Sequence, residues 1–220
     1  MTETGGVSDL HSLSPNEFLE FGDEIAISVR DDGEIHRLNE LPGVEPEQDL
    51  VILAARLLQQ QSACTLGADI RVDKRLPMGG GLGGGSSDAA TVLVVLNRLG
   101  DINMPVEQLA QLGLQLGADV PVFVHGHAAW AEGVGEILEP VDLPEPWYLV
   151  IIPPVEVATA KIFSDPQLTR DCQPIKIRAF LAGESINVCQ SVASRHYPEI
   201  AQALTWLGQF AEAKMTGTGS

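Results

Sequence analysis

Apolar and polar positions alternate over Glu24–Arg30, with Ile25, Ile27 and Val29 set against Glu24, Ala26, Ser28 and Arg30. That period of two predicts a half-buried strand. Asp32-Gly33 then reads as a tight turn, and Glu34–Leu38 as the strand returning beside the first in a hairpin. His36 falls in that returning strand and is expected at the surface. Leu50–Gln60 switches to helical spacing, with Ala54, Leu57 and Leu58 on one face and Asp49 at its start. Asp69–Lys74 alternates again as a strand, and Ser86–Leu99 carries Ala89, Ala90, Val92, Leu93, Val95 and Leu96 as the buried stripe of a second helix. Pro105 opens a third helix over Val106–Leu116, which Gly117 ends. Two short strands, Ala128–Gly133 and Glu136–Val141, are expected to form a hairpin turning at Gly133 and Gly135. Three prolines interspersed with acidic residues over Pro140–Pro146 mark a domain boundary. Beyond it Trp147–Ile152 reads as a buried strand stopped by Pro153-Pro154, and Lys176–Leu181 and Tyr197–Glu212 as short helices. Met1–Glu17 shows no periodicity and is expected to be poorly ordered.

Between the strand ending at Lys74 and the helix from Ser86 lie six glycines in the seven residues Gly79–Gly85, followed by Ser86-Ser87. Glycine permits positive φ and close backbone approach to a ligand, at an entropic cost that a plain connector does not need repeatedly. A helix start presents unpaired N–H groups and the positive end of the dipole, so the junction is suited to an anion. Ser86 or Ser87 is expected to cap the helix. No lysine follows any of these glycines, which excludes the Walker loop. Gly79, Gly81 and Gly84 fit G-x-G-x-x-G, but the preceding strand is half-exposed and separated from the glycines by Lys74–Met78. A dinucleotide fold wants a buried parallel strand running straight into the first glycine, so that reading fails on context.

Composition narrows the partners. The 220 residues are 45% hydrophobic and 20% charged, as in a globular protein with a core of its own, and no apolar run approaches the length of a membrane span. The N-terminal residues lack the basic and apolar regions of a signal peptide. A formal net charge of −17 argues against nucleic acid and anionic membranes. Three separated cysteines, Cys64, Cys172 and Cys189, point to a reducing cytoplasm and no metal site. His125 and His127 stand two apart without further ligands nearby and fall short of a zinc site. Asp119, between a helix end and Val120-Pro121, reads either as a turn acceptor or as a working base.

Pro77-x-x-x-Gly81-Leu82-Gly83 running into Ser86-Ser87-x-Ala89-Ala90 resembles the second motif of the GHMP small-molecule kinases. The expanded form PMGGGLGGGSSDAAT is most similar to the branch of that family serving non-mevalonate isoprenoid synthesis. The resemblance runs from about Phe18 to Ser220. It implies an α+β fold in two lobes: a nucleotide-binding lobe over 1–143, like domain 2 of ribosomal protein S5, and a partial ferredoxin-like lobe over 144–220. It implies transfer of the γ-phosphoryl group of ATP, with Mg2+, to a hydroxyl of a cytidyl diphosphate sugar alcohol, and it allows a homodimer. The nucleotide would be held by Lys74, Pro77, Met78, Gly79, Gly80, Gly81, Leu82, Gly83, Gly84, Gly85, Ser86 and Ser87. Gly117–Phe123 resembles the segment bearing the family's catalytic aspartate, which would make Asp119 the base. Val157–Phe163 resembles the substrate-side loop, with Phe163 placed to stack on the cytosine or else to fill a core.

The chain departs from the family pattern in three places. Relatives carry Asn where Asp49 stands, and a carboxylate accepts hydrogen bonds without donating them. The opening strand with Pro-Ala-Lys, whose lysine pairs with the catalytic aspartate, has no counterpart. Lys214–Ser220 resembles the third glycine motif and stops inside it. These departures predict a kinase truncated at both ends and nearly inactive as it stands, or a non-catalytic nucleotide-binding remnant.

Overall fold

The computed structural model describes residues 21–78, 81–132, 137–142, 147–170 and 187–219. Within them the chain is α+β and falls into two compact units. One unit contains the described residues up to Leu76 together with those of 83–143; the other contains Pro77–Leu82 and the described residues of 144–220. The expected disorder over Met1–Glu17, the Gly133/Gly135 turn and the helix Lys176–Leu181 lie outside the described residues.

The first unit is built on a three-stranded sheet of β1 (Glu24–Arg30), β2 (Ile35–Arg37) and β3 (Gly67–Asp73), in the order β1-β3-β2. β1 runs antiparallel to β3 along its whole length, with Ile27 opposite Ile70 and Ile25 opposite Val72. β2 runs parallel to β3, Ile35 opposite Ala68. This overturns the expected hairpin. β3 lies between the two, pairing with β1 over seven residue pairs and with β2 over three. The Asp32 turn survives as a local bend, with Asp32 accepting from the Glu34 N–H at 3.1 Å.

Alternation in β3 buries Ala68, Ile70 and Val72, against which α1 (Leu50–Ser62) and α2 (Gly84–Leu99) pack. Val51, Ile52, Ala54, Ala55 and Leu58 of α1 and Ala89, Ala90, Val92 and Leu93 of α2 are buried, as the 3.6-residue stripes require. Full burial of each large aliphatic side chain contributes on the order of 2 kcal/mol. α3 (Val106–Leu114) and α4 (Val120–His125) close the core through Leu109, Leu112, Val120 and Val124. β4 (Ala129–Glu132) and β5 (Ile137–Pro140) form the expected antiparallel pair.

In the second unit α5 (Thr159–Ser164), α6 (Val188–His196) and α7 (Pro198–Leu207) surround a small core of Val157, Ile162, Leu168, Cys189, Val192, Ala193 and Ile200. Asp165 is buried there, and hydrogen bonds from His196, the Gln167 N–H and Arg195 hold its carboxyl down at about 2. Trp147–Ile152 is neither a strand nor buried: Trp147 is 99% exposed and Leu149 66%. An apolar run fits a buried strand only where another strand offers hydrogen bonds, and none pairs with it among the described residues. No described helix is long and apolar enough to cross a membrane.

Candidate active site

The glycine stretch delivers the chain to the start of α2. Gly83 is the N-cap, at φ +69°, and a Cβ on it would lie 2.9 Å from the Phe123 ring, so backbone conformation and packing both demand glycine. No side chain caps the helix. This corrects the expected serine cap. The helix begins at Gly84, which places Ser86 and Ser87 inside its first turn, and the Ser87 N–H already donates to the Gly83 carbonyl at 2.9 Å. The N–H groups of Gly84, Gly85 and Ser86 therefore open the helix without intrahelical acceptors, at the positive end of a dipole sixteen residues long.

Gly84 and Gly85 differ in why they are glycine. A Cβ at Gly84 would lie 3.2 Å from Asp23 Oδ2 and 3.4 Å from Lys74 Nζ. A Cβ at Gly85 would meet only Leu50 Cδ1, at 3.6 Å, which is an ordinary contact. A side chain at 84 would thus crowd the Asp23–Lys74 pair, whereas one at 85 meets only ordinary contact.

Lys74 is not a solvated strand-end lysine. Its ammonium is ion-paired with Asp23 and, at 2.9 Å, with Asp88 of α2. Asp23 is only 1% exposed at its side chain, and it also accepts the N–H groups of Arg75 at 2.6 Å and Leu76 at 2.8 Å. Two carboxylates thus share one ammonium. Burial of Asp23 is outweighed by its hydrogen bonds from Lys74 and the two amides, so its pKa falls. Asp88 is pushed up to about 6, chiefly by burial. Lys74, although partly buried, is raised by its two acidic partners. Neither Asp23 nor Asp88 was singled out from the sequence. Asp23 stands beside Glu24 at the start of a strand and Asp88 follows Ser86-Ser87, and neither setting is distinctive enough to select it.

Asp119 occupies the N-cap position of α4 without making a capping hydrogen bond, which removes the turn-acceptor reading in that form. Its side chain reaches the surface, yet the protein packed around the carboxyl raises its pKa, with no cation among the described residues offsetting the shift. A Cβ on Gly117 would lie 3.8 Å from Ser86 Oγ, so the turn leading to Asp119 runs beside the first turn of α2. The base candidate and the open helix start belong to one neighbourhood of this unit.

Asp49 caps α1, accepting from the Val51 N–H at 3.0 Å, and takes Arg37 Nη1 at 2.9 Å. Both side chains are nearly fully buried. Asp49 is therefore a structural acid, committed to the fold.

The remaining predicted residues lie in the second unit. Pro77 is half-buried and Met78 about half exposed, and Gly79 and Gly80 fall outside the described residues. Gly81, at φ +66°, accepts from Thr216 Oγ1 at 3.1 Å, so the third glycine segment touches the second. Leu82 is half-buried. Phe163, on α5, is 38% exposed, which favours an open face over a core role. Among the described residues no three His, Cys, Asp or Glu side chains gather to hold a metal ion.

The model of the GHMP kinases N-terminal domain matches residues 49–127. A 4-diphosphocytidyl-2-C-methyl-D-erythritol kinase of Pseudomonas syringae pv. syringae (strain B728a) is 63% identical over 215 residues, 98% of this chain and 76% of that protein. The protein of the same name from Nitrosococcus oceani is 57% identical over 93% of this chain and 73% of its own length. Among solved structures, a 4-(cytidine 5'-diphospho)-2C-methyl-D-erythritol kinase matches with a TM-score of 0.70 at 31% identity, over 90% of this chain and 74% of that one. Homoserine kinase from Cytophaga hutchinsonii matches in fold, with a TM-score of 0.53 at 17% identity, over 90% of this chain and 64% of its own. The chain spans about three quarters of the length of the kinases it matches in sequence.

Proposed function

Because the chain belongs to the GHMP kinase family, among the 4-diphosphocytidyl-2-C-methyl-D-erythritol kinases, we propose that it transfers the γ-phosphoryl group of ATP to the 2-hydroxyl of 4-diphosphocytidyl-2-C-methyl-D-erythritol. The observation that carries this reading at the level of residues is the uncapped, glycine-led start of α2 beside a carboxylate of raised pKa. Phosphoryl transfer asks mainly for positioning, charge stabilisation and an acceptor for the hydroxyl proton.

The N–H groups of Gly84, Gly85 and Ser86 bind phosphate oxygens. Lys74, Pro77 and Met78 serve the nucleoside end. Asp119 takes the proton from the substrate hydroxyl, and burial, by raising its pKa, makes it a stronger base than an ordinary carboxylate. Phe163 stacks on the cytosine. Mg2+ reaches such sites on the phosphates of the nucleotide and needs few protein ligands. The hydroxyls of Ser86 and Ser87 are the oxygen donors that would hold it, and it would supply charge neutralisation on the transferred group. The protein acts in the cytoplasm, away from membranes and nucleic acid, and is compatible with a homodimer.

The test is ATP-dependent phosphorylation of the cytidyl substrate by the protein, followed as transfer of labelled γ-phosphate from ATP to the 2-hydroxyl. Transfer is expected, and ATP binding without any transfer would refute the proposed activity and leave a non-catalytic nucleotide-binding protein.

A further inference from the structure

Three residues in a row at the end of β3 answer to one carboxylate. Asp23, just before β1, holds the side chain of Lys74 with Oδ2 and the backbone N–H groups of Arg75 and Leu76 with Oδ1. Lys74 passes the connection on to Asp88, in the second turn of α2. The chain leaves this cluster at Leu76 for the glycine loop and comes back to it at Gly84, whose missing Cβ is what lets Asp23 and Lys74 lie within about 3.4 Å of that position. Both ends of the loop are thereby tied to one buried anion.

We infer that Asp23 is a positioning residue for phosphate binding: it touches no nucleotide, but sets the separation between the lead-in to the loop at Arg75–Leu76 and the N–H groups at the start of α2. The inference rests on the proposed role of α2 as the phosphate site. The chemistry agrees with it on two counts. At 1% side-chain exposure Asp23 is shut off from ligand, so any effect on binding has to travel through what it holds. Its three bonds are also unequal in kind. Those to the amides fix backbone, whereas the bond to Lys74 fixes the link to α2. Removing the charge while keeping the shape therefore loosens the second and leaves an acceptor for the first.

The experiment is calorimetric titration of ATP into residues 1–220 and into Asp23→Asn, because titration separates affinity from the number of sites. Displacing a binding group by a fraction of an ångström to an ångström costs on the order of tenfold to a hundredfold. The expected result is an ATP Kd raised about tenfold or more with the number of sites unchanged. A variant that keeps the parental Kd and loses only sites, or only thermal stability, would show that Asp23 merely supports the fold and would overturn the inference. A parent that binds no ATP at all would sink the phosphate-site reading and this inference together. A parent that binds, paired with a variant that binds equally well, would sink this inference alone. If Asp23→Asn does not fold, Asp23→Glu decides, since it keeps the charge and shifts the carboxylate by a methylene: weaker binding at full stoichiometry supports the role, and unchanged affinity refutes it.

Discussion

Gly85→Ala should move stability and nucleotide affinity in opposite directions. Gly85 is the second residue of α2, and a Cβ there meets only Leu50 Cδ1 at 3.6 Å, so alanine is accommodated without strain. Alanine is the better helix former by up to about 1 kcal/mol in a helix interior and by less in the first turn, so a gain of roughly 0.5 kcal/mol is expected. In a domain of this size that raises Tm by about 1–2 °C. A phosphate oxygen bonded to these amides sits roughly 3 Å from nitrogen, where an added methyl group intrudes on its approach. Losing one hydrogen bond to a charged group is worth about 1.5–3 kcal/mol, or roughly 10- to 100-fold in Kd. Thermal melts and ATP titration on the same preparation read both effects. The same substitution at Gly83 or Gly84 would collide with Phe123 or with the Asp23–Lys74 pair, so a loss of binding there would say little about the ligand. An alanine variant that is at least as stable as the parent and binds ATP within about threefold of it would refute the placement of phosphate on α2.

Asp119→Asn keeps the shape and removes the proton acceptor; kcat should fall about 100-fold or more with ATP affinity little changed, and turnover within a few-fold of the parent would remove Asp119 from the mechanism. Asp88 titrates near 6 in the folded protein, above its ordinary range, so the folded state binds its proton more tightly than the unfolded chain does. The stability this proton confers is fully present below about pH 4 and is lost as pH rises through about 6. The Tm of Asp88→Asn relative to the parent should therefore rise between pH 4.5 and 7.5, and a constant difference would contradict the burial that raises the Asp88 pKa.

Hydrophobic period and local chemistry determined much of this molecule. The stripes of α1 and α2 specify their buried faces because a 3.6-residue repeat leaves one choice, and the alternation in β1 and β3 does the same with a repeat of two. The run from Pro77 to Ala90 carries its meaning in contiguous residues, so the phosphate loop, the helix it feeds and the family were legible without coordinates. What period cannot convey is which edge a strand pairs with. β2 follows a good turn signal, yet lies on the far side of β3, which pairs with β1 along its whole length. The apolar run Trp147–Ile152 failed as a strand for a related reason: its pattern states a preference for burial and names no partner. Charge pairing was equally invisible. Asp23 and Lys74 are 51 positions apart, and only the antiparallel register of β1 on β3 sets the residue before one strand against the residue after the other. Asp49 stands out in the sequence only as an acid where relatives carry Asn, and the fold alone places Arg37 against it. The glycines divide along the same line. Sequence shows six of them in a row of seven, while only the packed structure shows that Gly83 and Gly84 answer to neighbours inside the protein and that Gly85 does not, because the difference lies in what stands within 4 Å of an atom that is absent.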